Sequence, residues 1–223
     1  MKKFFALTLC VLSLTLHAQN PVFNNPNNHR HFGVRASFDL SVPSDFKEGP
    51  VSFNAFGTGA GFSFEGIYHI PLVANLYLEP GIGLYYNTYS INKELLESVN
   101  QMDNLSGSMR KFGMRVPVLV GYHFDLTSDF RIFATYGFVF EEGFTAKSRI
   151  TQKSSSGSLS SSTSAYGDGG MPRFDLLTNL GAGIEYRHLH FGVSGNLGTL
   201  NLSGDSDVQF YENVVKFTVG YNF

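Results

Sequence analysis

From residue 31 to its last residue the chain alternates apolar and polar side chains with a period of two. The clearest segment is His31 to Ser41, in which Phe32, Val34, Ala36, Phe38 and Leu40 fall on one side and Gly33, Arg35, Ser37, Asp39 and Ser41 on the other. Successive side chains of a strand point to opposite faces, so the pattern encodes strands with one apolar and one polar surface. The last segment repeats it, with Val215, Phe217, Val219, Tyr221 and Phe223 set against Lys216, Thr218, Gly220 and Asn222. Beyond the first twenty residues no run reaches the ~18 consecutive apolar residues of a membrane helix. A chain of this kind crosses a membrane with strands or not at all.

Between the first and last segments the alternation predicts strands over 59–70, 75–90, 112–124, 130–146, 174–187 and 189–198, eight in all. The connections differ in length. Those over 42–58, 91–111, 147–173 and 199–212 are long and polar, whereas 71–74, 125–129 and the step at His188 are short. Long connections follow the odd strands and short ones the even strands. That parity predicts an all-β, eight-stranded antiparallel up-and-down transmembrane barrel, with both termini in the periplasm and four long outer loops. In the second loop Leu95, Leu96, Val99 and Met102 have the spacing of a turn or two of helix. The third contains Ser154 to Ser156, Ser158 and Ser160 to Ser162, which bury nothing and predict a mobile segment.

The polar face decides which side meets lipid. It carries Arg35, Arg115, Arg131, Arg187 and Lys216 with Asp39, Glu65, Glu79, Glu141, Asp175 and Glu185, interleaved with glycines such as Gly61, Gly81, Gly121, Gly183 and Gly220. A water-washed exterior has no use for so many glycines, but the crowded lumen of a small barrel needs small residues beside long ones. A basic residue facing the bilayer midplane costs about 2 to 4 kcal/mol, so turning this set outward is prohibitive. Five positive and six negative charges nearly cancel. In a barrel this narrow they read as a paired structural network filling the lumen.

Some residues break the pattern. Phe133, Leu119 and Leu177 fall on the polar side, and Pro80 and Pro117 interrupt strands three and four. Proline donates no ladder hydrogen bond, which predicts a bulge or a local break where those two strands run together. Tyr68, Tyr77, Tyr122, Tyr186 and Tyr221 near the short turns predict an aromatic girdle at the membrane interface.

The N-terminus reads as a targeting segment. Lys2 and Lys3 precede an apolar core from Phe4 to Leu16 that ends near Ala18, so residues 1–18 are predicted to be a secretory signal peptide. Residues 19–30, rich in Asn and Pro, read as a periplasmic lead-in, and 31–223 as the barrel domain in the outer membrane. Cys10, the only cysteine, lies in the signal core, so the mature barrel is expected to have neither disulfides nor thiol chemistry. The net charge of −2, with Lys and Arg scattered along the chain, gives nucleic acid no footprint.

The segments Leu76-Tyr-Leu-Glu-Pro-Gly-Ile-Gly-Leu84, Arg115-Val-Pro-Val-Leu-Val-Gly121 and Arg173-Phe-Asp-Leu-Leu-Thr-Asn-Leu-Gly-Ala-Gly-Ile-Glu-Tyr186 resemble the PorT-like outer-membrane β-barrel family of Bacteroidetes. The likeness runs over residues 31 to 223. It implies the barrel and a place in the outer membrane, and the namesake's link to protein secretion suggests a partner in an envelope or secretion complex. The family pattern has no catalytic residues to carry over. The alternation ending at Phe223 resembles the terminal strand by which the barrel assembly machinery recognises its clients.

Outer-membrane enzymes that act on lipid or protein commonly use His near the outer rim. Here His29 and His31 precede or open the first strand, and His69, His123, His188 and His190 lie at predicted periplasmic ends. The long loops contain none, which argues against enzymology. His69, His123, His188 and His190 read as interfacial polar residues rather than a metal site. Gly204-Asp-Ser-Asp207 reads as a turn, and Gly57-Thr-Gly-Ala-Gly61 lacks the helix of a phosphate-binding loop. The expectation is a non-enzymatic barrel without cofactor, contacting membrane lipid and a protein partner. A narrow passive channel, a lipid-modifying enzyme and a soluble ligand-binding barrel stand behind it.

Overall fold

A computed structural model of the chain describes residues 29–100, 104–154, 157–167, 170–205 and 207–223. The signal-peptide stretch and almost all of the lead-in lie outside the described residues.

Eight strands form a closed antiparallel ring in which every neighbour is also a neighbour in sequence order, the last pairing with the first. They are β1 (His31–Pro43), β5 (Gly59–Pro71), β6 (Leu76–Ile91), β7 (Leu105–Asp125), β8 (Phe130–Ser154), β10 (Phe174–Tyr186), β11 (Leu189–Gly198) and β13 (Glu212–Asn222). Closure is made by the register that sets Val34 opposite Tyr221 and Asp39 opposite Lys216. A closed ring has no free edge within the membrane, so its strands pair with neighbours on both sides all the way round. The alternation maps directly onto the wall. Phe32, Phe38, Phe64, Leu180, Val193 and Phe217 are exposed on the outside, while Arg35, Asp39, Arg115, Glu141, Asn179 and Lys216 are buried within.

The short connections are tight. A two-residue turn joins Tyr186 to Leu189, with Arg187 in the left-handed region (φ 53°), and Ala74 takes the same conformation in the turn between β5 and β6. The long connections carry structure of their own. The first forms β2 (Phe46–Glu48), β3 (Val51–Phe53) and β4 (Phe56–Gly57), and the fourth supplies β12 (Val208–Gln209), which joins β2 and β3 in a small sheet. Phe46 stacks on Phe210 at 4.4 Å between ring centroids, with Phe53 and Phe56 packed beside it. This aromatic cluster caps one mouth of the barrel, and Phe210 and Leu202 are almost wholly buried in it. The second connection contains α1 (Lys93–Asn100), where helical spacing placed a turn or two of helix.

The serine-rich segment departs from expectation. It forms β9 (Gly157–Ser164), paired along its length with the end of β8 from Lys147 to Ser154. Strands β7 and β8 begin and end well beyond their predicted limits, so β7, β8 and β9 project past the barrel as a three-stranded sheet. Serine hydroxyls need no burial, and backbone pairing to an existing edge orders the segment without a core.

The prolines act as a ladder break without a bulge. Pairing of β6 with β7 stops after Pro80 opposite Val118 and resumes at Gly83 opposite Arg115 in unchanged register. The bulge lies between the next two strands, where the register shifts at Phe112/Gly113 so that Thr145 pairs with Phe112 and Gly143 with Gly113.

Candidate functional site

The buried polar side chains meet in the lumen in two tiers. The tier nearer the long connections is built on Arg115, wholly buried on β7. Its Nη1 donates to Asp39 Oδ2 on β1 at 2.5 Å and its Nε to Glu141 Oε2 on β8 at 2.8 Å, while the guanidinium lies 4.3 Å from the centre of the Tyr85 ring. Four residues along β7, Lys111 donates to Glu141 at 3.3 Å and, from the opposite wall, to Glu212 on β13, which also accepts from the Tyr89 hydroxyl. Ser63 donates to Asp39 at 3.1 Å.

The tier nearer the short turns converges on Glu185 of β10. This carboxylate accepts from Arg131 Nε at 2.6 Å and from Asn222 at 3.1 Å. His190 Nδ1 lies 3.0 Å away, His123 Nε2 3.4 Å and Arg35 Nη2 4.0 Å. Arg35 reaches Glu79 on β6 at 3.5 Å. The histidine rings are layered: His31 stacks on His69 at 4.5 Å, and Tyr77 on His123 at 4.3 Å. Lys216 and Glu65, 2.5 Å apart, link the tiers, because Lys216 stands opposite Asp39 and Glu65 opposite Arg35 in the two ladders flanking β1.

Phe133, Leu177 and Ile67 are buried inside with these charges, and Leu119 lines the same space. The apolar residues that broke the polar pattern thus fill the lumen between charged groups, leaving a cavity of about 60 Å³. Small residues make this filling fit. A Cβ on Gly121 would lie 2.1 Å from the Tyr77 ring, and one on Gly143 would lie 1.8 Å from the Tyr166 hydroxyl.

Of the residues singled out from sequence, the structure brings Arg35, Asp39, Glu65, Glu79, Arg115, Arg131, Glu141, Glu185 and Lys216 together. Asp175 is buried, but its carboxylate accepts from the Leu176 amide at 2.7 Å and makes no ion pair among the described residues. Arg187 is not in the lumen. It sits on the tip of the β10–β11 turn, 63% exposed, 3.4 Å from an exposed Asp129, because the two-residue turn takes it out of the strand's alternation. Phe223 is exposed on the outer wall, and its amide donates to Phe32 O at 2.8 Å.

His69, His123 and His190, expected at the interface, are buried inward instead, whereas His188 is exposed; His31 and Tyr77, the latter expected in the girdle, are buried inward as well. Each buried one is in phase with a lumen residue of its own strand, as Tyr77 is with Glu79. Tyr122, Tyr186 and Tyr221 do face outward. Lys111 and Glu212 escaped notice because each is the last residue of a predicted connection, 91–111 and 199–212. Extending the alternation outward from Arg115 and Lys216 finds both.

A ring of strands that is apolar outside and charged within defines a transmembrane β-barrel of the outer membrane. The sequence matches the family described as outer membrane protein beta-barrel domain over residues 6–223, and the chain belongs to that family. No curated protein matches it. Among solved structures it is similar to Ail of Yersinia pestis, in a crystal with the heparin analogue sucrose octasulfate, at 12% identity and a TM-score of 0.40 over 87% of this chain and 99% of that one. It is also similar to the Neisserial surface protein NspA, at 12% identity and a TM-score of 0.43 over 86% and 97%. OprG of Pseudomonas aeruginosa matches at 13% identity and a TM-score of 0.43 over 88% and 98%. Identities this low say nothing of shared activity.

Proposed function

We propose that this outer-membrane barrel is a non-enzymatic protein whose lumen is a structural plug and whose exposed connections bind a protein partner, in a structural, adhesive or secretion-associated role. The observation that carries this reading is Arg115, wholly buried and held between Asp39 and Glu141 from different walls. A lumen filled by such pairs, under a cap of Phe46, Phe56 and Phe210, leaves the outside surfaces to act. The projecting β7–β8–β9 sheet offers the most extended of them.

The orientation proposed with this role has the termini and short turns in the periplasm and the long connections outside, following the loop asymmetry of bacterial barrels. Residues 1–18 are the export signal, 19–30 a lead-in and 31–223 the barrel, with Phe223 presented to the barrel assembly machinery. The three segments quoted above support a PorT-like assignment within the family. No nucleic-acid or cofactor role is proposed. Every histidine among the described residues lies toward the short-turn end, which leaves an outward-facing lipid-modifying site without its usual base.

Crosslinking in native membranes tests the role. A stoichiometric protein joined to the projecting sheet supports it, and the absence of any such partner, with no phenotype on deleting that sheet, removes it. The second reading, a narrow channel, draws on the cavity beside Arg35, Glu65 and Glu79. Current across a planar bilayer would favour it over the plug.

A further inference from the structure

We infer that the outer wall of β7 and β8, just beyond Phe112 and Phe144, is a binding site for the phosphate of an anionic outer-leaflet lipid. Along the outward positions of β7, Tyr122, Val120, Val118, Val116, Met114 and Phe112 are followed by Arg110, and on β8 Phe144 is followed by Lys147 and Arg149. Phe112 and Phe144 meet edge to face at 5.7 Å, marking where the apolar wall ends. Arg110 and Lys147 stand directly opposite each other in the ladder, and Arg149 lies one outward position further along.

Like charges facing each other across an antiparallel pair destabilise it. Neither Arg110, Lys147 nor Arg149 makes an ion pair among the described residues, and all three are exposed. The one carboxylate on the outward positions of β7 and β8, Glu142, lies on the membrane side of Phe144. Glu97 of α1 is 3.5 Å from Lys93. The site is also concave. Between the end of β9 and the start of β10 the wall has a notch of about 500 Å³, lined by Phe144, Lys147, Ser162, Thr163, Tyr166 and Arg173. Arg173 is held there by donating to Phe144 O at 2.9 Å and by lying 5.0 Å from the centre of the Tyr166 ring.

Four cations that are carbonyl-bound or without an ion-pair partner among the described residues, at the rim of an apolar wall, match one kind of occupant, a lipid whose acyl chains lie along Phe112 and Phe144 while its phosphate bridges Arg110 and Lys147. A phosphate with several acceptor oxygens converts the repulsion of that pair into shared charge-assisted hydrogen bonds. The wall positions at the same level on β1, β5, β11 and β13 carry no basic residue, so the site is local to one side of the barrel. The placement in the outer leaflet rests on the orientation proposed above, whereas the binding itself does not.

The test uses the refolded barrel in nanodiscs of phosphatidylcholine, with or without a minor fraction of diphosphorylated lipid A, and reads retained lipid by native mass spectrometry and stability by the heat-modifiable gel band. We expect retention of lipid A and a higher unfolding temperature, both lost when the lipid A is dephosphorylated. R110S/K147S should retain lipid A roughly tenfold less well, R110K/K147R should behave as wild type, and Lys47→Ser on the cap should change nothing. Equal retention by R110S/K147S, or none by wild type, overturns the site. Stabilisation by inorganic pyrophosphate in pure phosphatidylcholine discs, matching that of lipid A, would assign it to a free anion and overturn the lipid reading. Nanodiscs expose both faces, so a positive result with the opposite orientation in cells would refute the orientation alone.

Discussion

The Arg115 guanidinium lies 2.5 Å from the Asp39 carboxylate and 2.8 Å from that of Glu141, joining β1 to β7 and β8 through the centre of the barrel with no exposed surface on Arg115 or Asp39. Burying an ion pair roughly cancels its own attraction against desolvation, so the pair itself stabilises little. Removing one partner is different, because it leaves the buried carboxylates of Asp39 and Glu141 without their cation.

R115M is therefore expected to destabilise the barrel by about 3–5 kcal/mol in denaturant titrations in detergent micelles. The triple change D39N/R115M/E141Q should recover most of that loss. A mild effect of R115M alone would mean that water or Lys111 compensates the carboxylates.

Two arginines near the short turns, Arg131 and Arg187, should behave differently. Arg131, 13% exposed, meets the buried Glu185 at 2.6 Å, while Arg187 and Asp129 form an exposed pair. R131M is expected to cost several kcal/mol, on the scale of about 3–5 for a broken buried pair. R187A should stay within about 0.5 kcal/mol of wild type and be insensitive to salt. Similar losses from both would contradict the placement of Arg187 outside the lumen.

G121A drives a methyl group into the Tyr77 ring, whose atoms stand 2.1 to 2.5 Å from the added carbon. The wall is backbone and cannot retreat, so Tyr77 must leave its stack on His69 and His123, at about 1–3 kcal/mol. Thermal unfolding followed by the heat-modifiable band measures it. Pairing G121A with Tyr77→Ala should restore part of the loss.

Phe210 stacks on Phe46 and tethers the first long connection to the fourth, beside the hydrogen bonds from the Ser44 amide to Tyr211 O and from the Tyr211 amide to Ser44 Oγ. F210A is expected to loosen the cap and leave the barrel intact. Limited proteolysis should then cut within 44–58 or 199–211 faster than in wild type, with an unchanged heat-modifiable shift. If the whole barrel unfolds instead, the cap is part of the cooperative core.

How much was legible varies with the kind of pattern. The ends of β1, β5, β6, β10 and β11 fell within two residues of their observed limits, because each is bounded by a turn or by a loss of alternation. The far ends of β7 and β8 did not, since Lys147, Arg149 and the serines look like a loop until β9 pairs with them. Lys111 and Glu212 were hidden by the same misplaced starts. The inward turn of His69, His123 and Tyr77 was legible from phase alone, but their ring chemistry suggested an interface and prevailed over it.

The sequence by itself determined that this chain would be a barrel, which face would meet lipid and that most of the charges of its strands would be inside, though it placed Arg187 there wrongly and passed over Lys111 and Glu212; all three follow from a period of two and the cost of putting charge in hydrocarbon. Only the tertiary structure decided which charges pair. Asp39 and Arg115 are 76 residues apart, and Lys111 and Glu212 are 101 apart. What brings them within reach is the closure of the ring through the register of β1 against β13, a relation between strands that no local pattern contains.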